Sequence, residues 1–167
     1  MEDKKEGYKI FFSRSLDEKI NPFTKGIKVF LRDTFKFRYM CTVGLTYVED
    51  ESMLKSIIKE IEKSDIVICC FTKDIKREDN KFISKPSVYM EYSIAKAFGK
   101  PVISFVEKGT EINSMVNAST QYITISRNEI KKIKDGSEVA ENIRLKIKSA
   151  FEKSIEKKVL DYFVEEH

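Results

Sequence analysis

The stretch Ser64-Asp65-Ile66-Val67-Ile68-Cys69-Cys70-Phe71-Thr72 decides the fold. Its apolar run from Ile66 to Phe71 is too short for a helix and does not alternate with polar residues. A strand that is apolar at every position is covered on both faces, as in a parallel sheet between two layers of helices. Cys69 and Cys70 fit this reading as small apolar side chains; with Cys41 they form no C-x-x-C pair. Helical stretches flank the strand. Before it, Met53, Leu54, Ile57, Ile58 and Ile61 recur at helical spacing behind Glu49-Asp50-Glu51, acids suited to a helix N-terminus. After it, a polar loop from Lys73 to Lys85 leads to Pro86. Val88, Met90, Ile94, Ala95 and Phe98 then run as a helix stopped by Gly99 and Pro101.

The same alternation extends outward. Tyr8-Lys9-Ile10-Phe11-Phe12 reads as a first buried strand ending in the polar loop Ser13-Arg14-Ser15. Pro22 opens a helix from about Phe23 to Phe35, with Ile27, Phe30, Leu31 and Thr34 on one side. A second strand falls near Arg38–Leu45, a fourth at Val102–Val106 and a fifth at Tyr122–Ile125. Strands separated by helices take right-handed crossovers. The predicted fold is therefore α/β: a flavodoxin-like, doubly wound, five-stranded parallel sheet. Ligands of such sheets bind beyond the carboxyl ends of the strands, at the switch between the first and third. That singles out the loops after Phe12, Thr46 and Phe71.

From Ser137, apolar residues recur at Val139, Ile143, Ile147, Phe151, Ile155, Val159 and Phe163. This predicts an added long C-terminal helix over about residues 137–165. A spacing of four drifts by about 40° per step on an α-helix, so the stripe winds around it. Either a homodimer partner covers the far end or the helix curls over its own domain. The whole chain, 1–167, reads as one domain with its core over about 8–130.

Composition removes several functions. A chain of 167 residues can bury a core without disulfides or metal. No apolar run approaches the roughly 20 residues of a membrane span. The polar start, Met1 to Glu6, predicts no secretion signal and a cytoplasmic location. The net charge of +4 is small, and Lys131-Lys132-Ile133-Lys134 carries no aromatic for base stacking, so nucleic acid is an unexpected partner. The one histidine is His167, which excludes His-based triads, Cys-His proteases and most zinc sites, and no metal set is expected. Any enzyme here works with carboxylates, hydroxyls, Lys or Arg.

Among the carboxylates Glu91 stands out. It falls in the second turn of the helix after Pro86, on a face with Ser87, Val88 and Ala95, all expected to turn inward. A carboxylate there is costly unless it meets a partner or a ligand. It either caps amides or pairs with a neighbouring Lys or Arg, or it does chemistry. Ser13 and Arg14 end the first strand at the predicted switch point, where Arg can engage a pyrophosphate. Thr72 and Lys73 hold the matching place after the third strand, with Lys73 read as ordinary loop solubility. Tyr47 can stack on a base, and Tyr89 or Tyr92 can line a pocket beside Glu91.

The helix Pro86-x-Val88-x-x-Glu91-x-x-x-Ala95, followed by Gly99-Lys100-Pro101-Val102-Ile103, resembles the bacterial and archaeal TIR-like domains. Lys9-Ile10-Phe11-Phe12-Ser13 is similar to their first-strand box, and Ser64-Asp65-Ile66-Val67-Ile68 to the lead into their third strand. The blocks recur in order over roughly residues 8 to 125. The resemblance implies NAD+ as substrate rather than cofactor, with the nicotinamide–ribose bond cleaved to ADP-ribose or a cyclic ADP-ribose-type signal. It implies that Glu91 contacts the nicotinamide ribose. It also implies a role in prokaryotic immune signalling and assembly into homo-oligomers. The chain lacks Trp, and Ser87 stands where the family commonly has one before its Val-x-x-Glu segment.

A second resemblance is to nucleoside 2-deoxyribosyltransferases, which also carry a helix glutamate, an Ala-rich stretch and Gly-Lys-Pro-Val, and also break an N-glycosidic bond. Their glutamate is a nucleophile preceded by Asp and a Gly-Thr pair. Here Lys85-Pro86-Ser87-Val88 occupies that place. Two non-catalytic readings stand beside these: a TIR module that only assembles, and a sheet that binds a nucleotide signal without turning it over.

Overall fold

Ile66–Phe71 is the middle strand of the main sheet, and all of its side chains are buried, as an apolar run without alternation requires. A computed structural model describes residues 9–15, 23–29, 39–41, 50–117 and 122–134, with Glu141, Leu145, Ser149 and Glu152 beyond them. Along the chain come β1 (Lys9–Ser13), α1 (residues 23–29), β2 (Tyr39–Cys41), α2 (Asp50–Lys63) and β3 (Ile66–Phe71). They are followed by β4 (Ile75–Lys76), β5 (Phe82–Ile83), α3 (Pro86–Ala97) and β6 (Val102–Glu107). Last come β7 (Thr110–Glu111), α4 (Ser114–Asn117), β8 (Tyr122–Ile125) and α5 (Arg127–Lys134).

The main sheet has the order β2-β1-β3-β6-β8, and every pairing in it is parallel. This mixed α/β architecture is compatible with a flavodoxin-like fold. Side chains alternate across the sheet. Ile10, Phe12, Ile66, Ile68, Ile103 and Phe105 join Phe23 and Ile27 of α1 and Ile130 of α5 in one core. Phe11, Val67, Cys69, Phe71, Val102 and Val106 join Ile57 and Ile61 of α2 and Val88, Tyr92 and Ala95 of α3 in the other. Full burial of one such aliphatic or aromatic side chain contributes about 1.5–3 kcal/mol, so these two layers hold the helices in place.

α3 has distinct stop and start signals. Pro86 opens it after Lys85, which makes no side-chain cap. At the other end Gly99, at φ +67, donates to the Lys96 carbonyl while Lys100 donates to that of Ala95. This is a Schellman closure, which satisfies the last carbonyls and favours glycine at the left-handed position.

The segment from Lys73 to Lys85, expected as a plain polar loop, holds a second small sheet. β4 and β5 pair antiparallel, and β7 adds to β5 in parallel. The turn between β4 and β5 closes through Arg77 N–H to the Lys81 carbonyl at 2.8 Å, with Asn80 at φ 63. Asn tolerates that left-handed conformation. Strands of two residues are too short for a period to show. Arg77 and Lys81 both bridge to Glu111, tying the hairpin to β7.

The predicted C-terminal helix and both of its suggested contacts lie outside the described residues, apart from Glu141, Leu145, Ser149 and Glu152, which are helical and exposed. No helix among the described residues is long and apolar enough to cross a membrane.

Candidate active site

The chain leaves β1 toward one edge of the sheet and β3 toward the other, so the winding reverses between them. At that reversal β1 and β3 run side by side, with Ser13 in register with Cys69. α3 returns across β1, β3 and β6, its N-terminus at the carboxyl ends of the strands. Its inward stripe is Val88, Tyr92 and Ala95, all buried. At about 100° per residue Glu91 falls on the edge of that stripe, which places its carboxyl against the end of β1.

Glu91 is largely buried there, and no Lys or Arg among the described residues pairs with it. Burial pushes its pKa up from the ordinary carboxylate range to about 7, a rise partly offset by the Ser13 hydroxyl. That hydroxyl is itself buried and makes no well-formed hydrogen bond. Beneath both lies Cys69, whose thiol is held well above its usual pKa by burial first, and next by the nearby Glu91 charge. The result is a carboxyl with its pKa raised toward neutrality beside a buried hydroxyl, where open α/β sheets bind ligands.

A second carboxylate organises the rim. Asp74 accepts the Thr72 hydroxyl at 2.6 Å and the backbone N–H of Lys85 at 2.7 Å. The Ser15 hydroxyl also hydrogen-bonds to it. Burial raises the Asp74 pKa, and these donors offset part of the rise. A third carboxylate, Glu107 at the end of β6, is buried. It accepts the Lys73 N–H at 2.9 Å and the Arg127 guanidinium, joining the exits of β3 and β6 to the start of α5. The Lys73 side chain lies over the Phe82 ring and against Gly109, whose φ of +94 is one that side-chain-bearing residues rarely adopt.

The structure brings Glu91 and Ser13 together and sorts the other predicted residues around them. Arg14 is half-buried at the end of β1, where its charge acts on the thiol of Cys70, on the face opposite Cys69. Thr72 is fully buried; its hydroxyl serves Asp74 and its carbonyl accepts from Ser84. Ser87, expected inward with Glu91, is exposed, because it lies about 100° around the helix from Val88. Tyr92, expected to line a pocket, is buried in the core, edge-on to Phe71 at 6.0 Å. Tyr89 instead is partly exposed, with its ring 4.9 Å from that of Phe71. Tyr47 lies outside the described residues.

Asp74, Ser15 and Glu107 went unread in the sequence. A Thr-x-Asp step directly after a buried strand was the available signal for Asp74, since short polar side chains there bond the local backbone.

No family model matches the chain, and no curated protein does. The TIR-like resemblance therefore rests on its motifs alone. Among solved structures, the chain is similar to the CMP N-glycosidase of Clostridium botulinum, at 15% identity over 74% of this chain and 92% of that one, with a TM-score of 0.47. It is similar to a 2-desoxiribosyltransferase from Leishmania mexicana at 11% identity, covering 64% of this chain and 75% of that one, with a TM-score of 0.47. A conserved protein from Enterococcus faecalis V583 matches at 13% identity over 75% of this chain and 98% of that one, with a TM-score of 0.49.

Proposed function

We propose that this protein breaks the N-glycosidic bond of a nucleoside or nucleotide, with Glu91 facing the anomeric carbon. The observation that carries the reading is the Glu91 carboxyl itself: largely buried, without a cation among the described residues, and set at the β1/β3 reversal. As the bond from sugar to base breaks, its electron pair leaves with the base and positive charge grows on the sugar carbon. A carboxylate held in a site of low dielectric stabilises that charge strongly. Its oxygen then bonds to the carbon, giving a glycosyl ester; a base leaving a neutral nucleoside takes a proton from solvent, whereas nicotinamide leaves its pyridinium already neutral. Water attacks the ester, places its hydroxyl on the sugar, returns its proton to solvent and frees the carboxylate. A second base attacking in place of water gives transfer.

The Clostridium botulinum and Leishmania mexicana proteins are named for enzymes of this bond. The nicotinamide–ribose link of NAD+ belongs to the same bond class, so the NAD+ cleavage implied by the TIR-like motifs is one member of the proposed substrate range. The test is to incubate the protein with CMP, 2′-deoxynucleosides and NAD+ separately and measure free base by chromatography. Release by the native protein, with a loss of about 10³-fold or more in Glu91→Gln, is the expected result. No release from any of the three at high enzyme concentration removes the catalytic reading and leaves binding or assembly, whereas equal release by the variant removes Glu91 as the catalytic residue.

A further inference from the structure

We propose that Asp74 is a positioning residue, whose carboxylate clasps the exits of β1 and β3 to the first residues of α3 and so holds Glu91 over Ser13. The proposal rests on Glu91 being the functional carboxyl, and it adds the device that sets its place.

Three donors converge on Asp74 from three separate segments. Ser15 comes from the chain leaving β1, Thr72 from the chain leaving β3 at 2.6 Å, and the Lys85 N–H from the residue before α3 at 2.7 Å. Its own N–H is shared between the carbonyls of Thr72 and Ile83, so the β4–β5 hairpin is pinned at the same point. Ser84 closes the ring by donating to the Thr72 carbonyl at 2.8 Å. Thr72, Ser84 and Ser15 are all buried, which makes each of these bonds costly to leave unmade.

α3 needs this anchor. Lys85 offers no side-chain cap, and Pro86 has no N–H, so the helix lacks the usual local fixing of its first turn. Asp74 supplies the acceptor from across the rim instead. Glu91 lies less than two turns from Lys85, and a displacement at the helix start is carried to its carboxyl. A shift of about 1 Å in a reacting group is enough to cost about 10²-fold in rate.

The decisive variant pair is Asp74→Asn and Asp74→Ala. Asn keeps an oxygen for the Lys85 N–H, and its amide donates to the Thr72 hydroxyl in the reverse sense; Ala removes every contact. The readout is the titration midpoint of Glu91, followed by carboxyl 13C NMR and assigned by its absence in Glu91→Gln. Among the described residues, the other groups facing Glu91 are Ser13 on β1 and the Cys69 thiol on β3, with Lys96 a turn further along α3 acting on the same thiol. None of them is altered by the pair.

In Asp74→Ala the helix start loosens and water reaches Glu91, so its midpoint falls by about one pH unit or more toward the ordinary carboxylate value. In Asp74→Asn it stays within about 0.3 of the native midpoint, because geometry rather than charge does the positioning. An unmoved midpoint in the folded Ala variant, or an Asn variant that behaves like Ala, overturns the proposal. Should Asp74→Ala fail to fold, Thr72→Val removes one donor at nearly constant volume. It is expected to lower the midpoint by about half a unit, and no change refutes the clasp. The titration uses no substrate, so it stands or falls apart from base release: a moved midpoint without any base release refutes the chemistry and leaves the clasp.

Discussion

Glu91→Gln is expected to stabilise the protein, and to do so only where the carboxyl is charged. In the folded chain burial pushes the pKa of this group up to about 7, from an ordinary value of 4.5. The folded state therefore binds the proton more tightly than the unfolded state, and ionisation works against folding. Below pH 4.5 both states carry the neutral acid and there is no penalty. As pH rises from 4.5 to 7 the penalty grows, and above 7 it is constant. A rise of this size corresponds to about 3 kcal/mol, reduced to about 2 kcal/mol by the solvent that the partly open side chain retains. Gln has the same shape and no charge. Urea denaturation followed by circular dichroism at pH 4.5, 6 and 8 should give curves for native and variant that coincide at the lowest pH. They should then separate, the variant being more stable by about 2 kcal/mol at pH 8. Variant and native curves that stay together from pH 4.5 to 8, or a variant less stable at pH 8, would show that a cation neutralises Glu91 and would refute the reasoning. A stabilising substitution that destroys activity marks a residue kept for function.

Other perturbations test the rest of the site. If base release occurs, kcat/KM should rise with pH to a plateau with its midpoint near 7, since Glu91 acts as the anion; a rate that falls through that range would assign it as an acid. Replacing Glu107 by Ala leaves the Lys73 N–H and the Arg127 guanidinium without their acceptor. A loss of about 2–4 kcal/mol in urea denaturation is expected, and a loss under about 0.5 kcal/mol would show the contact to be incidental. Gly109→Ala puts a Cβ at 2.7 Å from Lys73 Cε at a φ of +94. It should cost about 1 kcal/mol or more, read as a lowered thermal midpoint, whereas an unchanged midpoint would mean that the backbone at this position relaxes out of the positive φ and Lys73 moves aside.

What could be read in the sequence followed the strength of local signals. β3 and β6 were legible because strands buried on both faces are apolar throughout, and α3 because Pro86 and Gly99 bracket its periodic residues. Glu91 was legible as an acid sharing a helix face with residues expected to turn inward. That no Lys or Arg among the described residues pairs with it was not, since that depends on which loops approach. Ser87 and Tyr92 were misjudged by reading adjacency to Glu91 as sharing its environment. Steps of one and four residues turn the helix by about 100° and 40°, enough to send Tyr92 into the core and Ser87 to the surface. The small sheet and the Asp74 contacts are built from two-residue strands and single hydrogen bonds between distant segments, which leave no periodic trace.

Because β5 pairs with β7, the connection that follows β3 and the one that follows β6 share a ladder, Phe82 with Thr110 and Ile83 with Glu111. Two stretches that could otherwise lengthen or shorten separately are thereby bound to a common register. An insertion in one drags the other with it, so descendants of this chain would diversify the rim by matched changes in both segments, while the strands below stay as they are.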